Sequence, residues 1–443
     1  MKIDWTVRVN EWVEKNREFM ISLLQEMIRF KSINPNFMEN PSKSESAQLQ
    51  HFIEEQLVSW GLTVDKWDVY DNQPNIVATI EGKKEKESFI LNGHVDVVPV
   101  GSISEWNFDP WVGEIHDEKL YGRGSCDMKA GVVSNMMVAK FMLDMGIELS
   151  ADLQLHIVID EESGGAGTRS VLERGYLGDG VIVTEPTNEK INPVEGGLQW
   201  ARVVVKGSSA HTGWRYSHIY PGYERTGVNV IEKSMKIMQA VLELEKDWGL
   251  NKSHPLLPPG ITTINPGVIL AGSGEKDGRP ETVTNPAIVP DYCVMEFDIK
   301  YLPTEISKNI QKEFEAAVHS ISATDRWLQQ HPPQVEWGVR GVDFPPVNTP
   351  VDHPLVSTLA KNQLRLGVNP SYEGFVAVCD AAFYAGRGIP AIIYGPNGAN
   401  LHGPDEYVEV ESVYEVTKTL ILTALEWNGI LQDDNVTCRQ ETE

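Results

Sequence analysis

The stretch Phe89-Ile-Leu-Asn-Gly-His-Val-Asp-Val-Val-Pro99 decides the fold. It predicts a buried strand over Phe89, Ile90 and Leu91 that runs into Gly93, His94 and Asp96. Side chains alternate along a strand with period two, so His94 and Asp96 point to the same face. That geometry suits a metal-ligating His94 with Asp96 near enough to orient it or its surroundings. Taken alone, the same spacing also describes a strand end whose His and Asp only make hydrogen bonds near the surface. Acidic residues and histidines at later strand ends favour the metal.

Working outward, Trp12, Phe19, Ile21, Leu24, Met27 and Ile28 recur at helical spacing and predict an amphipathic helix over 5–30. A second helix is expected over 44–60, ended by Gly61, and a strand over 75–80. Residues 101–125 read as a long irregular stretch, followed by a helix over 127–145 that is apolar nearly all round. Strands at 153–159 and 181–184 carry few charges, as in a sheet covered on both faces. This alternation predicts an α/β layered domain with a mostly parallel sheet. After Gly196 the order becomes strand (200–206), helix (227–248), two strands (262–269 and 292–299) and helix (305–320), an inserted α+β sandwich. The α/β character returns with a helix at 355–366, a strand at 390–394 and a closing helix at 413–427, before a polar tail from 433.

The 443 residues leave room for two or three domains. With 41% hydrophobic and 23% charged residues, the composition is that of an ordinary soluble globular protein. The formal charge of −25 repels nucleic acid and anionic membranes, so neither is expected as a partner. Cys126, Cys293, Cys379 and Cys438 form no CxxC pair and read as free thiols in a reducing compartment. The first ten residues carry no apolar signal core, and no apolar run is long enough to cross a bilayer. A cytoplasmic location is therefore expected.

Acidic residues and histidines recur where open α/β sheets place their sites, at the carboxyl ends of strands. Asp127 stands immediately before a helix, where it is either a ligand or an N-cap. Glu161 and Glu162 follow a strand and precede a glycine-rich turn; without a cation between them, such a pair describes a solvated acidic turn. Glu185 ends the next strand, and His402 lies in a loop after the last one. Two imidazoles and three carboxylates suffice for a pair of zinc ions if one carboxylate bridges. Glu161 is then free to act as a general base.

Gly93-His-Val-Asp-Val-Val-Pro99, Tyr121-Gly-Arg-Gly-Ser-Cys-Asp-Met-Lys-Ala-Gly131, Asp160-Glu-Glu162, Thr184-Glu-Pro-Thr187 and His402 with Pro404-Asp-Glu406 occur in one order. In that order and spacing the chain resembles the acetylornithine deacetylase/succinyl-diaminopimelate desuccinylase family and its aminoacylase and carboxypeptidase relatives. The resemblance runs over about residues 24–427. It implies a three-layer zinc-peptidase-like catalytic domain, 1–196 and 341–443, and an inserted ferredoxin-like lid and dimerisation domain, 197–340. It also implies one divalent ion, zinc or a substituting cobalt, on His94, Asp127 and Glu185, and a second on Asp127, Glu162 and His402. Asp96 becomes the partner of His94, and Glu161 the base. His211, in Ser208-Ser-Ala-His-Thr-Gly213, becomes a donor to the scissile carbonyl oxygen, often reached across a dimer. By itself His211 also fits a surface-loop histidine.

The substrate side departs from the family pattern. Lys300 stands where relatives carry an Arg for the substrate carboxylate, and a lysine offers a point charge rather than a bidentate fork. Ala287 replaces an Asn, with Asn285 two residues earlier, and Cys379-Asp-Ala-Ala382 replaces Thr-Asp-Ala-Arg. Trp214, Arg215, Tyr216 and His218 are placed to line a different pocket. The expected activity is therefore removal of an acyl group from a small N-acyl amino compound, acetylornithine deacetylase-like, by a cytoplasmic homodimer. Alternatives are a metallo-exopeptidase or dipeptidase with the same chemistry, or a non-catalytic binding relative.

Overall fold

Phe89–His94 is a strand with all six residues buried, because it lies inside a sheet that is covered on both faces. The computed structural model describes residues 3–83, 86–215 and 227–431. The chain divides into two units, Met1–Val194 with Val347–Glu443, and Glu195–Pro346.

In the first unit a nine-stranded sheet has a parallel centre. Leu153–Val158, Phe89–His94, Val181–Val183 and Ala391–Ile393 run side by side in that order and direction. Thr63–Tyr70 and Gln73–Ile80 extend one edge antiparallel, and Ile191–Glu195 pairs antiparallel beyond Ala391–Ile393. The expected mostly parallel sheet is thus mixed, its parallel pairs confined to the middle. Alternation sorts its residues: Ile76 and Ala78 join the core on one face, Val77 the small cluster with Val158 and Val171 on the other.

The main core face is covered by Trp5–Arg29, Ser46–Trp60, Ala130–Asp144, Pro354–Arg365 and Val410–Asn428. Ala130–Asp144 is sandwiched between sheet and outer helices, which explains its nearly all-apolar sequence. Ala166–Glu173 and Ala381–Gly386 pack on the opposite face, completing three layers. Gly61 ends its helix in the left-handed conformation, φ +97°, as glycine readily does. The stretch 101–125 is less irregular than expected. Glu114–His116 and Lys119–Tyr121 form a hairpin that continues through Tyr407–Glu409 and Gly398–Ala399 as a second small sheet. Three-residue strands are too short for a periodic signal to register in sequence.

The second unit is the expected α+β sandwich. Its antiparallel sheet centres on Gly197–Lys206, Ile264–Lys276 and Tyr292–Tyr301. Ala201, Val203 and Val205 point to the face covered by Val230–Asn251 and Ser307–Ser320, and Trp248 and Phe314 fill the space between. Among the described residues no helix is long and apolar enough to cross a membrane. Cys126, Cys293 and Cys379 are buried thiols that form no disulfide among the described residues. Cys438 and the polar tail lie outside the described residues.

Candidate metal centre

The parallel strands deliver the candidate ligands to one edge of the sheet. His94 is the last residue of Phe89–His94; Glu161 and Glu162 follow Leu153–Val158; Glu185 follows Val181–Val183. His402 comes from the loop between Gly398–Ala399 and Tyr407–Glu409. Asp127 sits in the turn Ser125–Lys129, with a cis peptide to Met128. The following helix starts at Ala130 with Lys129 in the capping position, so Asp127 is not its cap. Asp160 and His402 hold left-handed backbone, φ +66° and +61°, which non-glycine residues adopt sparingly and which clusters at functional sites.

His94 Nδ1 lies 2.9 Å from the backbone carbonyl oxygen of Asp96, so that nitrogen carries the proton it donates. The Nε2 lone pair then faces acid oxygens: Asp127 Oδ1 at 3.3 Å, Glu185 Oε1 at 3.5 Å and Glu161 Oε2 at 3.8 Å. Buried as it is, Nε2 has no hydrogen-bond partner. His402 Nε2 is 3.2 Å from Asp127 Oδ2 and 3.2 Å from Glu162 Oε2. His94, Asp127 and Glu185 thus offer ligand atoms within 4.8 Å of one another, as do Asp127, Glu162 and His402. Asp127 belongs to both groups and turns one oxygen to each histidine.

Asp96 acts in two ways. Its carbonyl fixes the ring of His94, while its carboxylate, 3.6 Å from Nδ1, accepts the backbone N–H groups of Glu161 and Glu162 at 3.3 Å each. Asn34 donates to the same carboxylate at 2.7 Å. One side chain therefore ties two strand ends together.

The electrostatics carry an unbalanced negative charge. Burial pushes the Glu162 carboxyl up to about 7 and the Glu185 carboxyl up to about 8, with the charge of Asp127 adding to both. Burial raises Glu161 well above the carboxylate range, and the charge of Glu185 adds to the shift. Asp127 goes the other way: the hydrogen bond from His402 opposes its burial, and its carboxyl is held low. Hydrogen bonds to Asp127 and Glu162 lift His402 to about 10. Four acid side chains around two imidazoles, with a lone pair aimed among them, are a donor set that a divalent cation balances.

Sequence reasoning missed Asn34 and Asp380. Asp380, at the start of Ala381–Gly386, is buried, and burial lifts its carboxyl to about 7 with Asp96 and Asp160 adding to the shift. An Asn in a loop has no local pattern, whereas Asp380 was visible only as part of an altered motif.

The substrate-side candidates lie in the second unit. His211 is exposed and its Nδ1 accepts the Gly213 N–H at 3.1 Å. It bridges to Ile288, in the segment where the Asn285 oxygen accepts the Ala287 N–H at 3.0 Å. His211 is thereby set against the segment that carries Asn285. Lys300 pairs opposite Leu198, and burial lowers its pKa against the charges of Glu195 and Asp298. The Trp214 side chain, Tyr216 and His218 lie outside the described residues.

The family profile described as peptidase family M20/M25/M40 matches residues 90–426, from the strand that carries His94 to the closing helix. The chain belongs to this family. Its fold and its hydrolase chemistry are those of M20 enzymes. One relative, the N-formyl-4-amino-5-aminomethyl-2-methylpyrimidine deformylase of Halalkalibacterium halodurans, is 33% identical over 94% of this chain and 96% of its own. The Bacillus subtilis protein of the same name is 32% identical over the same shares. An aminopeptidase of Bacillus cereus superposes with a TM-score of 0.68 over 92% of this chain and 98% of its own. At 18% identity it shows the shared M20 fold.

Proposed function

We propose that this M20 chain is a metal-dependent amidohydrolase that removes a short acyl group, formyl foremost, from the amine of a small aromatic compound. The observation that carries the reading is the pair of ligand groups sharing Asp127, with Glu161 beside them, in a chain 33% identical to an N-formyl aminopyrimidine deformylase over 94% of its length. The substrate side supports it. Ala382 and Lys300 leave the chain without the two arginines that its amino-acid-deacylating kin use, which suits an amine lacking a carboxylate.

His94, Asp127 and Glu185 would hold one divalent ion, and Asp127, Glu162 and His402 the other; zinc is the assignment, with cobalt able to substitute. Such ions, when bound, supply Lewis acidity toward water and the acyl carbonyl. Glu161 would take the proton of the attacking water and return it to the departing amine, and burial raises its proton affinity for that task. Asp96 holds Glu161 in place through its backbone N–H. His211 would donate to the acyl oxygen as negative charge develops there, either within one chain or across a homodimer made through the inserted unit. The cytoplasm, where thiols stay reduced, is the proposed site of action.

The test combines metal analysis with N-formyl, N-acetyl, N-succinyl and dipeptide substrates, an aminomethylpyrimidine formamide among them. Preferred turnover of the formamide is expected; turnover of dipeptides alone would sink the reading in favour of an exopeptidase. Glu161→Gln should lower kcat by about 10²–10⁴-fold with both metals retained, and an active variant removes Glu161 from the role of base.

A further inference from the structure

We propose that Glu406 is the positioning residue of this centre, holding the Asp127 turn and the His402 loop in one register so that Asp127 serves both ligand groups. The inference rests on the dinuclear reading above.

Glu406 lies four residues past His402 and is wholly buried, as is its partner Arg123 at 1% exposure. Its Oε1 accepts the backbone N–H groups of Cys126 and of Asp127 itself, each at 3.0 Å. Its Oε2 accepts the Gly124 N–H at 3.0 Å and Arg123 Nη1 at 2.5 Å. Four donors thus converge on one carboxylate, and all four come from the segment that presents Asp127. The backbone joins in: the Glu406 carbonyl accepts the Gly122 N–H at 2.9 Å.

Arg123 extends the link. Its Nη2 donates to the carbonyl of Gly403, beside His402, at 3.1 Å, and to that of Pro99, downstream of His94, at 3.4 Å. Three segments that carry His94, Asp127 and His402 therefore meet at one buried ion pair. Such a pair is costly to desolvate, and an apolar pair would serve packing alone as well. What an apolar pair cannot do is set the height of the Asp127 backbone N–H.

That height matters because Asp127 divides its two oxygens. Oδ1 lies 3.3 Å from His94 Nε2 and Oδ2 lies 3.2 Å from His402 Nε2. An aspartate has one methylene, so a shift of the turn moves both oxygens together and withdraws one from its group. His402 depends on the same anchor, because its side chain is 54% exposed and its Nε2 approaches Asp127 Oδ2 and Glu162 Oε2 of the centre.

Glu406→Gln and Arg123→Lys test this on the full chain. Zn²⁺ affinity is measured by equilibrium dialysis of the stripped protein, and hydrogen exchange of the peptide holding Cys126 and Asp127 is followed without metal. Both variants should bind Zn²⁺ about 10–100-fold more weakly, exchange those amides faster, and recover kcat at saturating Zn²⁺ with KM unchanged. If Glu406→Gln does not fold, Arg123→Lys decides by the same readouts. Wild-type Zn²⁺ affinity in a variant whose Tm alone falls overturns the inference and leaves the dinuclear reading standing. A wild type that binds no Zn²⁺ at this centre overturns both.

Discussion

Asp127 is the residue on which the chemistry turns. Its carboxylate is the one group common to both ligand sets, whereas His402 belongs to one. Asp127→Ala should therefore abolish binding of both metals, and His402→Ala should leave the ion held by His94 and Glu185. Metal content per chain, measured after dialysis against trace zinc, separates the two variants; equal retention in both would refute the shared carboxylate. The ligands could be read beforehand because His, Asp and Glu are costly to bury, so their recurrence at apolar strand ends is informative. Asn34, which donates to Asp96, carried no such signal. It lies 62 positions away in the chain, and an amide in a loop is common. The same holds for Asp96: sequence placed it beside His94, but only the fold shows its carboxylate gripping the amides of Glu161 and Glu162.

Between strand and helix the decisive detail is a missing side chain. A Cβ on Gly131 would stand 2.1 Å from the carbonyl oxygen of Thr184, backbone that cannot swing aside. This glycine lets Ala130–Asp144 press against the strand end that presents Glu185. Gly131→Ala should destabilise the chain by about 1–3 kcal/mol or more through overpacking and weaken metal binding as Glu185 is displaced. Thermal unfolding with and without zinc checks it, and an unchanged Tm would show that the helix can shift freely. The helix itself was legible: a composition apolar nearly all round predicted a place inside the core. The long amphipathic helices were likewise legible, since a 3.6-residue period repeats many times in each. The hairpin of Glu114–His116 and Lys119–Tyr121 was not, because its pairing with Tyr407–Glu409 joins segments far apart in the chain.

The first unit as a whole encloses polar groups that constrain its pH range. His156 is buried among Gln154 Oε1, at 2.9 Å from Nε2, and the Tyr384 hydroxyl, at 2.7 Å from Nδ1. One nitrogen donates and the other accepts, so the ring is neutral, and burial drives its pKa down to about 3. The unfolded chain takes up a proton below about 6.5 that the folded chain refuses. Stability from this group is complete above that pH and falls as pH drops from 6.5 toward 3, by about 1.4 kcal/mol per unit. His156→Gln should flatten the decline. Urea unfolding between pH 4.5 and 6.5 measures it, and parallel curves for variant and wild type would rule the group out.

Sequence alone determined the long helices and the central strands, the layered α/β class with its inserted α+β unit, and the five ligand candidates with Glu161. These follow from local rules: hydrophobic period, strand-end position, and the expense of burying charge. Only the tertiary structure decided which oxygens face which nitrogens, that Asp127 turns one oxygen to each histidine, and that Glu406 and Arg123 bind their loops together. Those facts depend on distances between segments up to 283 residues apart, set by packing that no single stretch encodes. His94 was readable at the outset as a histidine at a strand end. That its Nε2 lone pair is aimed among three carboxylates is a property of the fold.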